Sequence, residues 1–162
     1  MTSTWDAEEL GHLRRCVALA AEALEAGDAP FGSVLVDGAG VVRQEERNRI
    51  TTLSDQTRHP EFDLARWAAS NLTPSERAGA TVYTSGEHCP MCAAAHAWVG
   101  LGRIVYVASA AQLVKWQAEW DMAKSPVAGL PVQQIAPVLK VEGPVPELEE
   151  DIKTLHRKSA GL

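Results

Sequence analysis

The chain carries little basic charge, few cysteines and no long apolar run, and each shortage removes a class of protein. Fifteen Lys and Arg stand against twenty-one Asp and Glu, a net charge of −6. A nucleic-acid partner needs phosphate-neutralising cations gathered into a patch. Here they are scattered, and the densest stretch, between Arg43 and Arg58, reads as a solvated loop. Three cysteines are an odd count, with two of them in Cys89-Pro90-Met91-Cys92, so metal binding is favoured over disulfides. Cys16 falls in a helical pattern and reads as a buried apolar residue. The acidic start, Met1 to Glu9, lacks the basic and apolar segments of a secretion signal. No apolar run approaches the roughly 20 residues that span a bilayer. A soluble, cytoplasmic protein is expected. With 46% hydrophobic residues and no repeat, low-complexity tract or linker, residues 1–162 are expected to form one domain.

What is present reads as alternating elements. Leu10, Leu13, Val17, Ala20 and Leu24 recur at spacings of three and four, which predicts an amphipathic helix ending near Gly27. Residues 33–36 read as a strand, Asp37-Gly38-Ala39-Gly40 as a hairpin turn and 41–43 as a second strand. Residues 47–58 have no period and predict a loop that delivers the chain to His59. Pro60 suits the first position of a helix, and Phe62, Ala65, Ala69 and Leu72 continue one face as far as Thr73. Then follow a strand at 81–84, a helix from 90 to about 99, a strand at 104–107 and a helix from 110 to about 123. A loop at 125–131 leads to a strand around 135–141, which Pro137 weakens, and to a final helix at 147–158. The predicted fold is α/β: a three-layer α/β/α sandwich on a mixed, roughly five-stranded sheet.

Two short motifs carry chemistry. His59-Pro60-Glu61 lies about thirty residues before Cys89-Pro90-Met91-Cys92. One imidazole and two thiolates make three zinc ligands, one short of the closed tetrahedron of a structural site. The fourth position is open to water, which zinc acidifies into a nucleophile near neutral pH. Glu61 is placed to be the carboxylate that moves protons. Residues two apart on a regular helix point to nearly opposite sides. His59 and Glu61 therefore share a site only if His59 is the cap, and Pro60 agrees. Cys89 and Cys92, three apart, stack on one face of a first turn that Pro90 opens. Two helix N-termini would then converge on the metal, their partial positive charge favouring the thiolates. A closed zinc site that only staples the fold is the competing reading. Its fourth ligand would come from His12, His88, His96, His156 or Cys16.

H-x-E followed by P-C-x-x-C is the signature of zinc-dependent base deaminases. On these residues the chain resembles the cytidine deaminase-like superfamily, in particular the branch holding guanine deaminases and tRNA adenosine deaminases. The resemblance covers most of the chain. Ala29-Pro30-Phe31-Gly32-Ser33-Val34 is similar to the family opening. Asn48 followed by Asp55-Gln56-Thr57-Arg58-His59-Pro60-Glu61 is similar to an Asn followed by Asp-Pro-Thr-Ala-His-Ala-Glu. Ser85-Gly86-Glu87-His88-Cys89-Pro90-Met91-Cys92 is close to Glu-Pro-Cys-x-Met-Cys.

The resemblance implies His59, Cys89 and Cys92 as ligands of Zn2+. It implies Glu61 as the proton shuttle between the attacking water, the ring nitrogen and the leaving ammonia. It also implies that the backbone near Ser85 and Gly86, with Asn48, holds the edge of the base; an Asx turn is the plain alternative for Asn48. Glu87 matches the family residue and is expected to hydrogen-bond backbone and shape the pocket. Pro60 stands where the family has Ala, and His88 where it has Pro. For His88 a fourth ligand or a substrate contact stays open, and a solvated side chain is the reading preferred. A homodimer is expected from the family.

The run from Cys89 to Trp98 resembles the guanine deaminase form of this helix, and the resemblance makes Trp98 a candidate substrate contact. A helical connection before the last strand implies parallel strands and the purine-type branch. Trp116 and Trp120, four apart, suit stacking on a planar base, against a plainer place in the core or a dimer interface. The expected activity is hydrolytic deamination of a small amino-substituted, nucleobase-type ring, guanine favoured. Cytosine or cytidine, an amino-triazine and, against the acidic charge, tRNA adenosine are the alternatives. A zinc-binding scaffold without turnover is the reading from another class, and the intact Glu61 argues against it. The expected partners are a small-molecule substrate and a second copy of the chain, with no nucleic acid and no membrane.

Overall fold

The computed structural model describes residues 4–162; Met1 to Ser3, part of the acidic start, lie outside the described residues. Helix α1 (Ala7–Glu25) is opened by Asp6, whose carboxylate accepts the Glu9 N–H while the Glu9 side chain returns to the Asp6 N–H. Gly27, at φ +88°, turns the chain out of it. Strand β1 (Gly32–Val36) follows and is buried along its whole length. Gly32 is required there: a Cβ would stand 2.4 Å from Leu19 Cβ and 2.6 Å from the Cys16 carbonyl, so α1 lies directly on the strand.

The sheet runs β2-β1-β3-β4-β5, with β2 (Val42–Arg47), β3 (Thr81–Gly86), β4 (Ile104–Ala108) and β5 (Val141–Glu142). β1 pairs antiparallel with β2 and β3, whereas β3–β4 and β4–β5 are parallel. The C-terminal ends of β3 and β4 therefore share one edge with the start of β1, and the loops of that edge build the site. Successive β1 side chains separate the layers. Val34 and Val36 join Leu13, Cys16, Trp116 and Ile152, from α1, α5 (Ala110–Glu119) and α7 (Pro146–Ser159). Leu35 joins Leu64, Ala65 and Ala68 of α2 (Pro60–Asn71) on the other face, where α2 packs against α4 (Pro90–Trp98). The mixed five-stranded sandwich expected from the sequence is thus observed, including its parallel last pair.

Two local expectations change. The strand expected around 135–141 is a short helix α6 (Val132–Ile135) and then the two-residue β5. Val132 and Ile135, three apart, both turn toward Ala93 and Ile104, and Pro137 has no N–H for a ladder. A helix α3 (Pro74–Ala78) also appears, opened by a capping box between Thr73 and Glu76. Among the described residues no helix is long and apolar enough to cross a membrane.

Candidate metal and catalytic centre

His59 and Cys89 are the caps of α2 and α4, both in extended conformation and each followed by proline at the first helical position. Neither side chain caps its helix. They turn toward one another instead: His59 Nδ1 is 3.5 Å from the sulfurs of both Cys89 and Cys92, which are themselves 3.5 Å apart. Donors held about 2.1–2.3 Å from a tetrahedral zinc stand about 3.5–3.8 Å from each other, so this set fits that ion. It is the one such cluster among the described residues. The Gln56 carbonyl holds the His59 ring from the loop before α2. The Cys92 thiol, then burial and His59, set the Cys89 thiol, with the bonds prevailing and holding it near 4. Cys92, hydrogen-bonded to the Cys89 sulfur and buried, is pushed well up.

Glu61, the second residue of α2, is buried beside these candidate ligands without being one of them. Burial pushes its carboxyl up to about 7, against the pull of His59. Its Oε1 lies 3.2 Å from Ser33 Oγ and 3.4 Å from Thr84 Oγ1, and these hydroxyls are 2.8 Å apart. Ser33 and Thr84 are direct partners across β1 and β3. Sequence reasoning missed both. The available signal was a hydroxyl in each of two otherwise buried strands, where a polar group needs a partner.

The other predicted residues divide. Asn48 is buried, and its Oδ1 accepts the Ile50 N–H at 3.0 Å, an Asx turn. Ser85 Oγ accepts the Gly32 N–H, and the Gly86 carbonyl accepts the Thr84 hydroxyl. Glu87 bonds backbone as expected: its two oxygens take the N–H groups of Ala110 and Val132, each at 2.9 Å. It thereby ties the starts of α5 and α6 to the end of β3. Trp98 is not brought to the centre of its own chain. It ends α4, nine residues beyond Cys89, and is 86% exposed. Trp120 follows α5 and lies against Trp116, ring centres 6.4 Å apart, in keeping with the plainer core reading.

His88 is corrected. It is fully buried rather than solvated, with its ring edge-on to His96 at 5.2 Å and no partner for either ring nitrogen. The chain must turn at Cys89 to present the thiol as a cap, and this folds the preceding side chain inward onto α4. It does not join the ligand cluster; nor do His12, His96, His156 or Cys16. Among the described residues the cluster thus offers three donors, one short of a closed tetrahedral site.

Residues 7–108, which include all three ligands and Glu61, match the model of the cytidine and deoxycytidylate deaminase zinc-binding region. The chain belongs to that family. Within it, the chain is 37% identical over 97 residues to a guanine deaminase of Bacillus subtilis, covering 59% of this chain and 62% of that protein. The match thus spans about three fifths of that relative's length. The solved structure of a Bacillus subtilis guanine deaminase covers 82% of this chain and 91% of its own at 27% identity, with a TM-score of 0.58. The chain is 32% identical over 116 residues to a probable cytosine deaminase of Schizosaccharomyces pombe, covering 71% and 70% of the two chains. It is 35% identical over 101 residues to a tRNA-specific adenosine deaminase of Agrobacterium fabrum, covering 62% and 65%. Members of the deaminase family named for different substrates are thus nearly equally similar to this chain.

Proposed function

We propose that this protein is a zinc-dependent hydrolytic deaminase of a small amino-substituted ring, with guanine the favoured substrate. The observation that carries the reading is Glu61, a buried carboxylate beside three metal ligands that it does not join. His59, Cys89 and Cys92 would hold zinc, a Lewis acid that would acidify water into the neutral range. Glu61 accepts the proton from the attacking water, passes it to the ring nitrogen and then assists the loss of ammonia. The ring edge is held by Asn48 and by the backbone at Ser85 and Gly86.

Guanine is supported by the parallel β4–β5 pair, by the likeness of the Cys89 to Trp98 run and by the guanine deaminase among the relatives. The net charge of −6 argues against a tRNA substrate. Trp98, left 86% exposed at the end of α4, is a natural anchor for a second copy of the chain, and a homodimer is proposed with it. The test is ammonia release from guanine, adenine, cytosine, an amino-triazine, guanosine and cytidine by zinc-loaded protein, with Glu61→Ala as control. Release from guanine that the variant abolishes supports the reading. Release from another ring reassigns the substrate, and silence on all six moves the reading to a larger substrate or a non-catalytic scaffold.

A further inference from the structure

The turn between α1 and β1 holds a carboxylate with no solvent access, that of Asp28. All of its side-chain partners lie on the far side of the β1–β2 hairpin. Oδ1 accepts the Thr52 N–H at 2.8 Å, and Oδ2 accepts the Thr52 hydroxyl at 2.5 Å and Arg47 Nη1 at 2.9 Å. The same Arg47 nitrogen donates to the Asn48 carbonyl at 2.9 Å. One carboxylate therefore grips both ends of the arc from Arg47 to Thr52. Asn48 sits inside that arc, and Ile50, whose N–H fixes the Asn48 side chain, lies between the two gripped ends. Because Asn48 Oδ1 is committed to Ile50, the amide NH2 is what it presents to a ligand.

Burying an ionised carboxylate is costly, and an apolar residue would fill a turn at less expense. The charge is used here to hold two segments far apart in sequence. Burial pushes the Asp28 carboxyl up, and the Thr52 hydroxyl and amide together with Arg47 outweigh it, leaving it at about 2. It is ionised throughout the working range.

We propose that Asp28 is a positioning residue: by clasping Arg47 and Thr52 it fixes the loop that aims Asn48 at the substrate. The inference rests on the reading of Asn48 as a base contact. It acts through the loop, so its signature is a weaker grip on substrate with the chemistry intact.

The test combines hydrogen–deuterium exchange with steady-state kinetics on guanine, using zinc-loaded Asp28→Asn, Thr52→Val, Asn48→Ala and the Asp28→Asn/Asn48→Ala double variant. In Asp28→Asn, exchange across 48–58 is expected to quicken while that of α1 and β1 is unchanged and zinc content stays at the wild-type level. KM is expected to rise about tenfold with kcat within about twofold. Thr52→Val spares the carboxylate and is expected to move KM less in the same direction, which keeps the test alive if Asp28→Asn folds poorly. In the double variant KM should match that of Asn48→Ala alone, since both changes remove one function. Unchanged exchange across 48–58, or independent additive effects on KM, would overturn the clasp. Quickened exchange with an unaltered KM in Asn48→Ala would instead overturn the substrate role of Asn48.

Discussion

The Ser33 hydroxyl stands 3.2 Å from Glu61 Oε1, and it reaches that position because Ser33 pairs with Thr84 across β1 and β3. The carboxylate proposed to move protons is thus tethered to the sheet as well as to α2. A shuttle must stay within hydrogen-bond reach of two acceptors in turn, and a loosened one loses rate faster than it loses binding. Ser33→Ala is therefore expected to lower kcat about tenfold with little change in KM and none in zinc content. Thr84→Ser keeps the second hydroxyl and should stay near wild type, whereas Thr84→Val should resemble Ser33→Ala. Ammonia-release kinetics with metal analysis on the same samples checks all three.

Glu61 offers a second prediction, in which activity and stability move in opposite directions. Glu61→Gln should keep zinc and fold but lose about 10²–10⁴ in rate. Its folded carboxyl lies near 7, above the ordinary 4.5, because burial disfavours the charge. The folded state therefore holds this proton more tightly than the unfolded state does. Stability is unaffected below 4.5 and is lost as the pH rises toward 7. Metal-free Glu61→Gln should be as stable as metal-free wild type at pH 4 and more stable at pH 8, by up to about 3 kcal/mol. Chemical denaturation of the two apo proteins at both pH values decides it; equal stability at pH 8 would show the carboxylate is not strained by burial.

Much of this centre is legible in the sequence because its parts are local. Pro60 and Pro90 mark helix starts, so each motif sets its own residues at a cap and first turn, and the family likeness implies that the two caps converge. The Glu87 bonds to backbone are foreseeable from the family likeness. Ser33 and Thr84 are not legible, because their meeting depends on strand register between segments far apart in the chain. Nor is His88, whose burial depends on a cap turn and on His96 across it. Trp98 carries the opposite lesson: likeness at one position of a helix does not say whether that helix end reaches the site or the surface. The segment 132–142 misleads for a third reason: Val132 and Ile135 are β-branched, which suits a strand, but their spacing of three turns both toward Ala93 and Ile104 only in a helix.

The thiol pair predicts how metal uptake depends on pH. Cys89 is already low, near 4, whereas Cys92 is pushed well above the ordinary thiol value and His59 is raised above its own. Zinc needs both thiolates and a neutral imidazole, so binding at pH 7 must expel the Cys92 proton and part of the His59 proton. Apparent zinc affinity is expected to climb as pH rises from 6 to 8, with at least about one proton released per ion at pH 7. Chelator competition across that range, with calorimetry in buffers of different ionisation heat, measures both quantities. Cys92→Ser should abolish most of the affinity and of the proton release together.

The contact between α1 and β1 gives the last prediction, on stability. Gly32 leaves no room for a Cβ, since the obstacles are Leu19 Cβ and the Cys16 carbonyl, neither a flexible side-chain end. Gly32→Ala must push α1 off β1, and Gly32 also donates its N–H to Ser85 Oγ, beside the catalytic edge. Overpacking of this kind costs about 1–3 kcal/mol, and for a domain of this size that lowers Tm by several degrees. Gly38→Ala serves as control, because Gly38 lies in the hairpin turn and its nearest obstacle, the Gly79 carbonyl oxygen, is at 3.5 Å. Thermal unfolding of the zinc-loaded variants is expected to separate them, Gly32→Ala melting lower with reduced turnover and Gly38→Ala unfolding close to wild type. Equal melting would mean that the two layers slide apart at no cost, against the close approach seen between Leu19 and Gly32.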